Sequence, residues 1–346
     1  MNTTVTPPGS AVERQIERFR DNFRIVCEQV SRVIVGNEDN IVGIMTCLLA
    51  RGHVLLEGIP GIGKTKLVQT LADVLHLKFS RIQFTPDLMP GDILGNTVVR
   101  ENEAGRKSLE FQRGPIFANL VLADEINRAT PKTQSALLEG MQENSVSAGG
   151  TTHPLEQPFF VLATQNPLDQ EGTYPLPEAQ LDRFFFKIFV NYPSDEEELE
   201  IMKRITMPGQ AQTKPVLNAE QINLLQEIVL RVPVADHVFA YAKKLVRSTR
   251  PAMGEAPDFI KNWINWGAGP RASIFLILAG KARAILNGQF HVACEDIEAI
   301  APAVLRHRMA CNFTAQAEGI TTDKVIEKLL QAVPKTAKLT TAPVAG

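Results

Sequence analysis

Cysteine is scarce in this 346-residue chain. The four thiols, Cys27, Cys47, Cys294 and Cys311, form no C-x-x-C pair and have no His pair nearby at metal-ligand spacing. That pattern excludes a disulfide scaffold and a structural zinc site. Tryptophan (2) and tyrosine (3) are few beside 17 phenylalanines, which leaves little for a base-stacking platform. Apolar runs such as residues 274–279 fall far short of a membrane span, and the N-terminus has no basic segment followed by an apolar one. Charge of one sign does not dominate either: 36 Lys+Arg against 38 Asp+Glu give -2. Without a global positive field, nucleic-acid binding would need a local basic patch. These absences predict a soluble, cytoplasmic protein with no membrane insertion.

At roughly 100–200 residues per domain the length predicts about two domains. Residues 1–10 and 334–346 are rich in Thr, Pro, Ala and Gly without periodicity, and are expected to be disordered tails. Within residues 11–192, short apolar runs at 53–57, 79–84, 120–123, 159–164 and 184–190 alternate with helical patterns. Five buried-type strands in such alternation predict an α/β unit with a five-stranded parallel sheet and helices on both faces. Segments 96–111 and 145–154 break the rhythm and read as inserted hairpins. Beyond Tyr192-Pro193 the strand signals stop. Ser194 followed by Asp195, Glu196 and Glu197, and Asn218 followed by Gln221, read as helix starts. Residues 193–333 are therefore expected to form a smaller all-α domain.

Gly58-Ile59-Pro60-Gly61-Ile62-Gly63-Lys64-Thr65 fits G-x-x-x-x-G-K-[ST] between a strand and a helix, the context a phosphate loop requires. In such a loop the glycines let backbone N–H groups turn inward onto phosphates, aided by the positive end of the following helix. Lys64 would reach the β- and γ-phosphates and Thr65 would ligate Mg²⁺. Downstream, an apolar run ends in Asp124-Glu125. Asp124 is placed to hold Mg²⁺ through water, and Glu125 to polarise an attacking water. The run at 159–164 ends in Gln165-Asn166-Pro167, which sets an amide, Asn166, where it could orient that water.

Together these residues resemble the AAA+ P-loop ATPases, and more narrowly the MoxR family of the helix-2-insert clade. The resemblance extends from Val33-Ile34-Val35-Gly36-Asn37 to Leu305-Arg306-His307-Arg308. Its most specific stretches are Phe111-Gln112-Arg113-Gly114-Pro115-Ile116-Phe117, Ala123-Asp124-Glu125-Ile126-Asn127-Arg128-Ala129, and the run from Gln165 through Leu181-Asp182-Arg183-Phe184. It implies a helical lid after the ATPase core, ATP and Mg²⁺ as cofactors, and a nucleotide site formed by Val35, Gly36, Gly58, Pro60, Gly61, Ile62, Gly63, Lys64, Thr65 and Lys66. Thr65 and Asp124 would serve the metal, and Glu125 and Lys64 would be catalytic, Glu125 by polarising the attacking water. Asn166 would be sensor 1, Arg183 an arginine finger supplied to the neighbouring subunit, and Arg271 sensor 2 on the lid. Family members often carry Ala where this chain has Gly63. The two hairpins correspond to insertions facing a ring's central pore.

The resemblance implies a hexameric homo-oligomer acting as a chaperone-like remodelling or maturation ATPase on a protein partner, of von Willebrand A type. A nucleic-acid motor is the alternative suggested by Arg100, Arg106 and Lys107 around the first hairpin, but Glu101, Glu103 and Glu110 nearly cancel them. A metal-chelatase motor subunit would share every ATPase residue. Intact Glu125 and Arg183 argue against a non-catalytic nucleotide switch.

Overall fold

The computed structural model describes residues 9–101, 107–167, 172–209 and 211–335. The chain forms two compact units divided between Ile228 and Val229. In the first, α1 (Gly9–Ser31) and α2 (Glu38–Leu49) precede β1 (Val54–Glu57), and α3 (Lys64–Val74) connects it to β2 (Phe79–Gln83). The short α4 (Pro90–Leu94) leads into a hairpin, β3 (Gly95–Glu101) and β4 (Lys107–Arg113), and then β5 (Leu120–Asp124). After α5 (Pro131–Glu143) a second hairpin, β6 (Ser145–Ala148) and β7 (Thr151–Pro154), returns the chain to β8 (Phe160–Gln165). The one-turn α6 (Glu178–Leu181), β9 (Phe186–Phe189), α7 (Asp195–Thr206) and α8 (Ala219–Arg231) follow, and the division between units falls within α8.

Strands β1, β2, β5, β8 and β9 make one sheet in the order β2-β5-β8-β1-β9, parallel at every pairing. All five residues of β5 are buried between β2 and β8, as a strand covered on both faces requires. A core of aliphatic and phenylalanine side chains, among them Leu55, Phe84, Ile116, Val121, Leu137, Val161 and Phe184, joins the sheet to α5 and to the base of the second hairpin. The expected hairpins are present, the first spanning 95–113 and the second 145–154. Glu103 and Arg106, between β3 and β4 in the sequence, lie outside the described residues. Phe111 of β4 stacks on His153 of β7 with ring centroids 4.2 Å apart, so the hairpins are packed together.

The change of texture at Tyr192 does not coincide with the division between units, because α7 and most of α8 belong to the first. Their predicted starts are capped. Ser194 Oγ accepts from Glu197 N, and Glu197 Oε2 accepts from Ser194 N, while Asn218 and Gln221 exchange the same pair of bonds. The expected tails are shorter than their composition suggests. Gly9 and Ser10 begin α1, and Lys335 pairs with Glu295 at 2.9 Å and Glu298 at 2.8 Å; residues 1–8 and 336–346 lie outside the described residues.

The second unit contains α9 (Asp236–Arg247), α10 (Asp258–Trp263), β10 (Ile264–Trp266), α11 (Pro270–Leu286), α12 (Cys294–Leu305), β11 (Ala310–Cys311), α13 (Phe313–Ala317) and α14 (Thr322–Ala332). It is helical apart from the short antiparallel pair of β10 and β11. Among the described residues no helix is long and apolar enough to cross a membrane.

One buried polar group helps set the sheet. His53, just before β1, accepts a hydrogen bond at Nδ1 from Val161 N (3.1 Å), so the proton sits on Nε2 and is donated to Met141 O (3.0 Å). Complete burial lowers its pKa from 6.5 to about 4. A depressed histidine pKa means that the unfolded chain binds a proton which the folded chain refuses. Stability is then lost as pH falls from about 6.5 to about 4, by up to about 3 kcal/mol. Urea denaturation across that range should show a shallower pH slope for His53→Gln than for the wild-type chain; equal slopes would contradict the account.

Candidate functional site

The loop between β1 and α3 owes its shape to three glycines. A Cβ at Gly58 would stand 2.5 Å from the carbonyl oxygen of Val190, so nothing larger fits there. Gly61 (φ +84°) and Gly63 (φ +79°) meet no neighbour, but their left-handed backbone favours glycine. Through Gly58 N, the loop is tied to Gln165 O at the end of β8 (3.3 Å). Lys64, first residue of α3, folds its ammonium back onto Gly58 O (2.5 Å) and Ile59 O (3.1 Å). Burial pushes its pKa below the ordinary lysine value, opposed by Asp124, Glu125 and Glu57. The ammonium is thus close enough to the acidic pair to feel both charges.

Beside the loop is a cavity of about 430 Å³, lined by Ile34, Val35, Pro60, Gly61, Ile62, Gly63, Lys64, Lys66 and residues around Tyr192 and Ile201. Its walls are mainly apolar while its loop side presents backbone and ammonium, a combination suited to a flat base with a charged tail. The expected Val35 lines it. Gly36 does not; a Cβ there would overlap the Glu197 carboxylate, so this glycine serves close packing against α7. Thr65 lies beside Lys64 in the first turn of α3, outside the cavity's lining. A larger cavity of about 670 Å³, lined by Lys66, Asp73, His76, Lys78 and Pro215, contains none of the loop glycines.

The acidic pair is held by β2 and β8. Asp124, buried at the end of β5, accepts at Oδ1 from Thr164 Oγ1 (2.6 Å) and at Oδ2 from Arg81 Nη2 (2.7 Å) and Nε (3.2 Å). Glu125 donates its backbone N–H to the same Thr164 hydroxyl (2.8 Å) and adopts a left-handed conformation (φ 57°, ψ 49°) that turns the chain out of the strand. Its carboxylate accepts at Oε2 from Gln83 Nε2 (2.8 Å) and Arg128 Nη1 (2.9 Å). Asn166 is buried immediately beyond β8, the strand that separates β5 from β1.

Val35 and the loop residues Pro60 to Lys64 line the cavity, whereas Asp124, Glu125 and Asn166 stand at the ends of β5 and β8, outside its lining. Arg183 is partly buried and donates from Nη1 to Leu138 O (3.2 Å) on α5; Arg271 stands in the first turn of α11 on the second unit. Sequence reasoning missed Arg81, Gln83, Arg128 and Thr164. The available signal was Arg81-Ile82-Gln83, two polar side chains alternating with an apolar one in a strand expected to be wholly buried.

Comparison with known proteins places the chain in a family. Residues 53–186 match the ATPase family associated with various cellular activities (AAA), and residues 260–329 match the AAA lid domain. The chain is 46% identical over 329 residues to Chaperone MoxR1 of Mycobacterium tuberculosis, spanning 94% of this chain and 85% of that one. It is 30% identical to Protein MoxR of Methylorubrum extorquens over 95% of this chain and 97% of the other. The chain belongs to the MoxR family of AAA ATPases. As a MoxR-family ATPase it binds nucleotide and carries the family's α/β core and helical lid. A crystal structure of a candidate ATPase from Cytophaga hutchinsonii superimposes with a TM-score of 0.87 at 42% identity, covering 95% of this chain and 99% of that one.

Thr164→Val preserves the buried shape and removes the hydroxyl shared by Asp124 and Glu125. Leaving a buried N–H and a carboxylate oxygen without this partner should lower the unfolding free energy by about 1–3 kcal/mol, read by urea titration. An unchanged midpoint would show that the hydroxyl does not hold the acidic pair.

Proposed function

We propose that this MoxR-family chain is the subunit of a cytoplasmic hexameric ring that hydrolyses ATP with Mg²⁺ and uses the turnover to remodel or mature a protein partner of von Willebrand A type. The observation that carries the reading is the acidic pair at the end of β5, Asp124 within the strand and Glu125 turned out of it, one strand away from β1 and its phosphate loop. Thr65 and Asp124 offer hard oxygen donors, which suit Mg²⁺. Among the described residues no group of three or more His, Cys, Asp or Glu could hold a metal ion. When bound, the metal would neutralise charge on the phosphates.

In this reading Lys64 exchanges its loop carbonyls for β- and γ-phosphate oxygens, met by the N–H groups of Gly61, Ile62 and Gly63. Val35 and Ile34 flank the base. Glu125 takes the proton of the attacking water, and Asn166 orients that water as sensor 1. Arg183 acts in trans as an arginine finger, which makes assembly a condition of turnover. Arg271 acts as sensor 2 from the lid.

A protein partner is favoured over nucleic acid by the first hairpin. Val99 and Leu109 face each other across β3 and β4, 63% and 75% exposed, and Arg100 is paired with Glu110 at 3.0 Å. An apolar pair on a charge-cancelled ribbon suits a polypeptide better than a phosphate backbone. The relationship to a protein named as a chaperone points the same way.

Glu125→Gln removes the general base and keeps the fold. ATP should stay bound while turnover falls about 10²–10⁴-fold, and native mass spectrometry of the ATP-loaded variant should show hexamers. Turnover at the wild-type rate would overturn the chemistry, and monomers alone would overturn the ring.

A further inference from the structure

Reading Asp124 as the metal-side carboxylate and Glu125 as the base leaves one cation unexplained. Arg81 closes a two-bond contact on Asp124 Oδ2, through Nη2 at 2.7 Å and Nε at 3.2 Å. The same Nη2 donates to Gln83 Oε1 at 2.7 Å, and Gln83 Nε2 donates to Glu125 Oε2 at 2.8 Å. A guanidinium can only donate and a carboxylate can only accept, so one orientation of the amide satisfies both neighbours. Two side chains two residues apart on β2 therefore reach both members of the acidic pair.

The partners of Asp124 differ in their freedom to leave. Thr164 is 1% exposed and its hydroxyl is fixed between Asp124 and Glu125. Arg81 lies on the sheet's edge strand with its side chain 47% exposed, so it can swing into solvent with little rearrangement, whereas the Asp124 side chain is only 11% exposed. A divalent cation approaching Asp124, directly or through water, meets an oxygen already in use and a like charge beside it.

We propose that Arg81 is a resident counter-ion which a divalent cation must displace from Asp124, and a positioning residue that fixes Glu125 through the Gln83 amide. The proposal rests on the reading of Asp124 as a metal-side carboxylate. With Arg81 seated, Gln83 is held at both ends and Glu125 is held with it. Once Arg81 leaves, the amide loses the partner that sets its orientation, and Arg128 is the charged side chain that still holds Glu125.

The test is Mn²⁺ binding at saturating ADP, followed by the electron paramagnetic resonance signal of free Mn²⁺, a readout independent of turnover. Arg81→Gln keeps a hydrogen-bonding side chain and removes the charge. It should tighten Mn²⁺ by about two- to fivefold, the range expected for loss of a half-exposed competing ion pair, and Arg81→Lys should return the affinity toward the wild-type value. Unchanged or weaker Mn²⁺ binding by Arg81→Gln would overturn the proposal. Asp124→Asn, measured alongside, should weaken Mn²⁺. If it binds as the wild-type chain does, the reading of Asp124 fails, and that failure is distinct from one confined to Arg81.

Discussion

The hydroxyl of Thr164 is the contact on which the acidic end of the sheet depends. It donates to Asp124 Oδ1 and accepts the backbone N–H of Glu125, so one buried oxygen fixes a side chain and a turn at once. Glu125 occupies a left-handed conformation that costs a non-glycine residue about 1–2 kcal/mol, and the bond from its N–H compensates for that strain. The pairing of β5 with β8 is what makes the contact possible. Because β8 also pairs with β1, the strand that carries the threonine is the neighbour of the strand that launches the phosphate loop. Asp124, Glu125 and the Gly58–Thr65 loop are thereby set by three adjacent strands.

Charge at the site is arranged in pairs rather than as a field. Arg81 faces Asp124, Arg128 faces Glu125, and Lys187 faces Glu57 at 2.7 Å at the end of β1. Lys64 is retracted onto two loop carbonyls. A site of this kind has to exchange partners when a polyanion and a divalent cation arrive together, since each incoming charge meets a group already engaged. The net charge of -2 agrees with such local compensation, and the described part of the first hairpin repeats the arrangement in Arg100 with Glu110.

Much of this was legible in the sequence, for identifiable reasons. The phosphate loop is written in local terms, glycines at fixed spacing between a strand and a helix, and the left-handed angles of Gly61 and Gly63 are the constraint behind that spacing. The central strands were visible because β5, β8 and β1 are buried at nearly every position, whereas β2 at the edge buries only Ile82. The alternation of Arg81 and Gln83 is local, but their partners were not legible, since these lie more than forty residues away and the strand order that unites them is no local property. Gly36 packs against Glu197, a contact with the later helix α7 that no spacing rule reveals. The division between units was displaced for a similar reason. Strand signals end at Tyr192, but α7 and most of α8 remain with the first unit, where Arg51 pairs with Glu227 and Gln226 donates to Leu48 O at 2.7 Å.

The central claim is that the Gly58–Thr65 loop and the acidic pair form one hydrolytic site. Steady-state release of inorganic phosphate from ATP, measured with and without Mg²⁺ for the wild-type chain and for Lys64→Ala, tests it most directly. The account predicts Mg²⁺-dependent turnover in the wild-type chain and none above background in Lys64→Ala; turnover surviving in Lys64→Ala would contradict it.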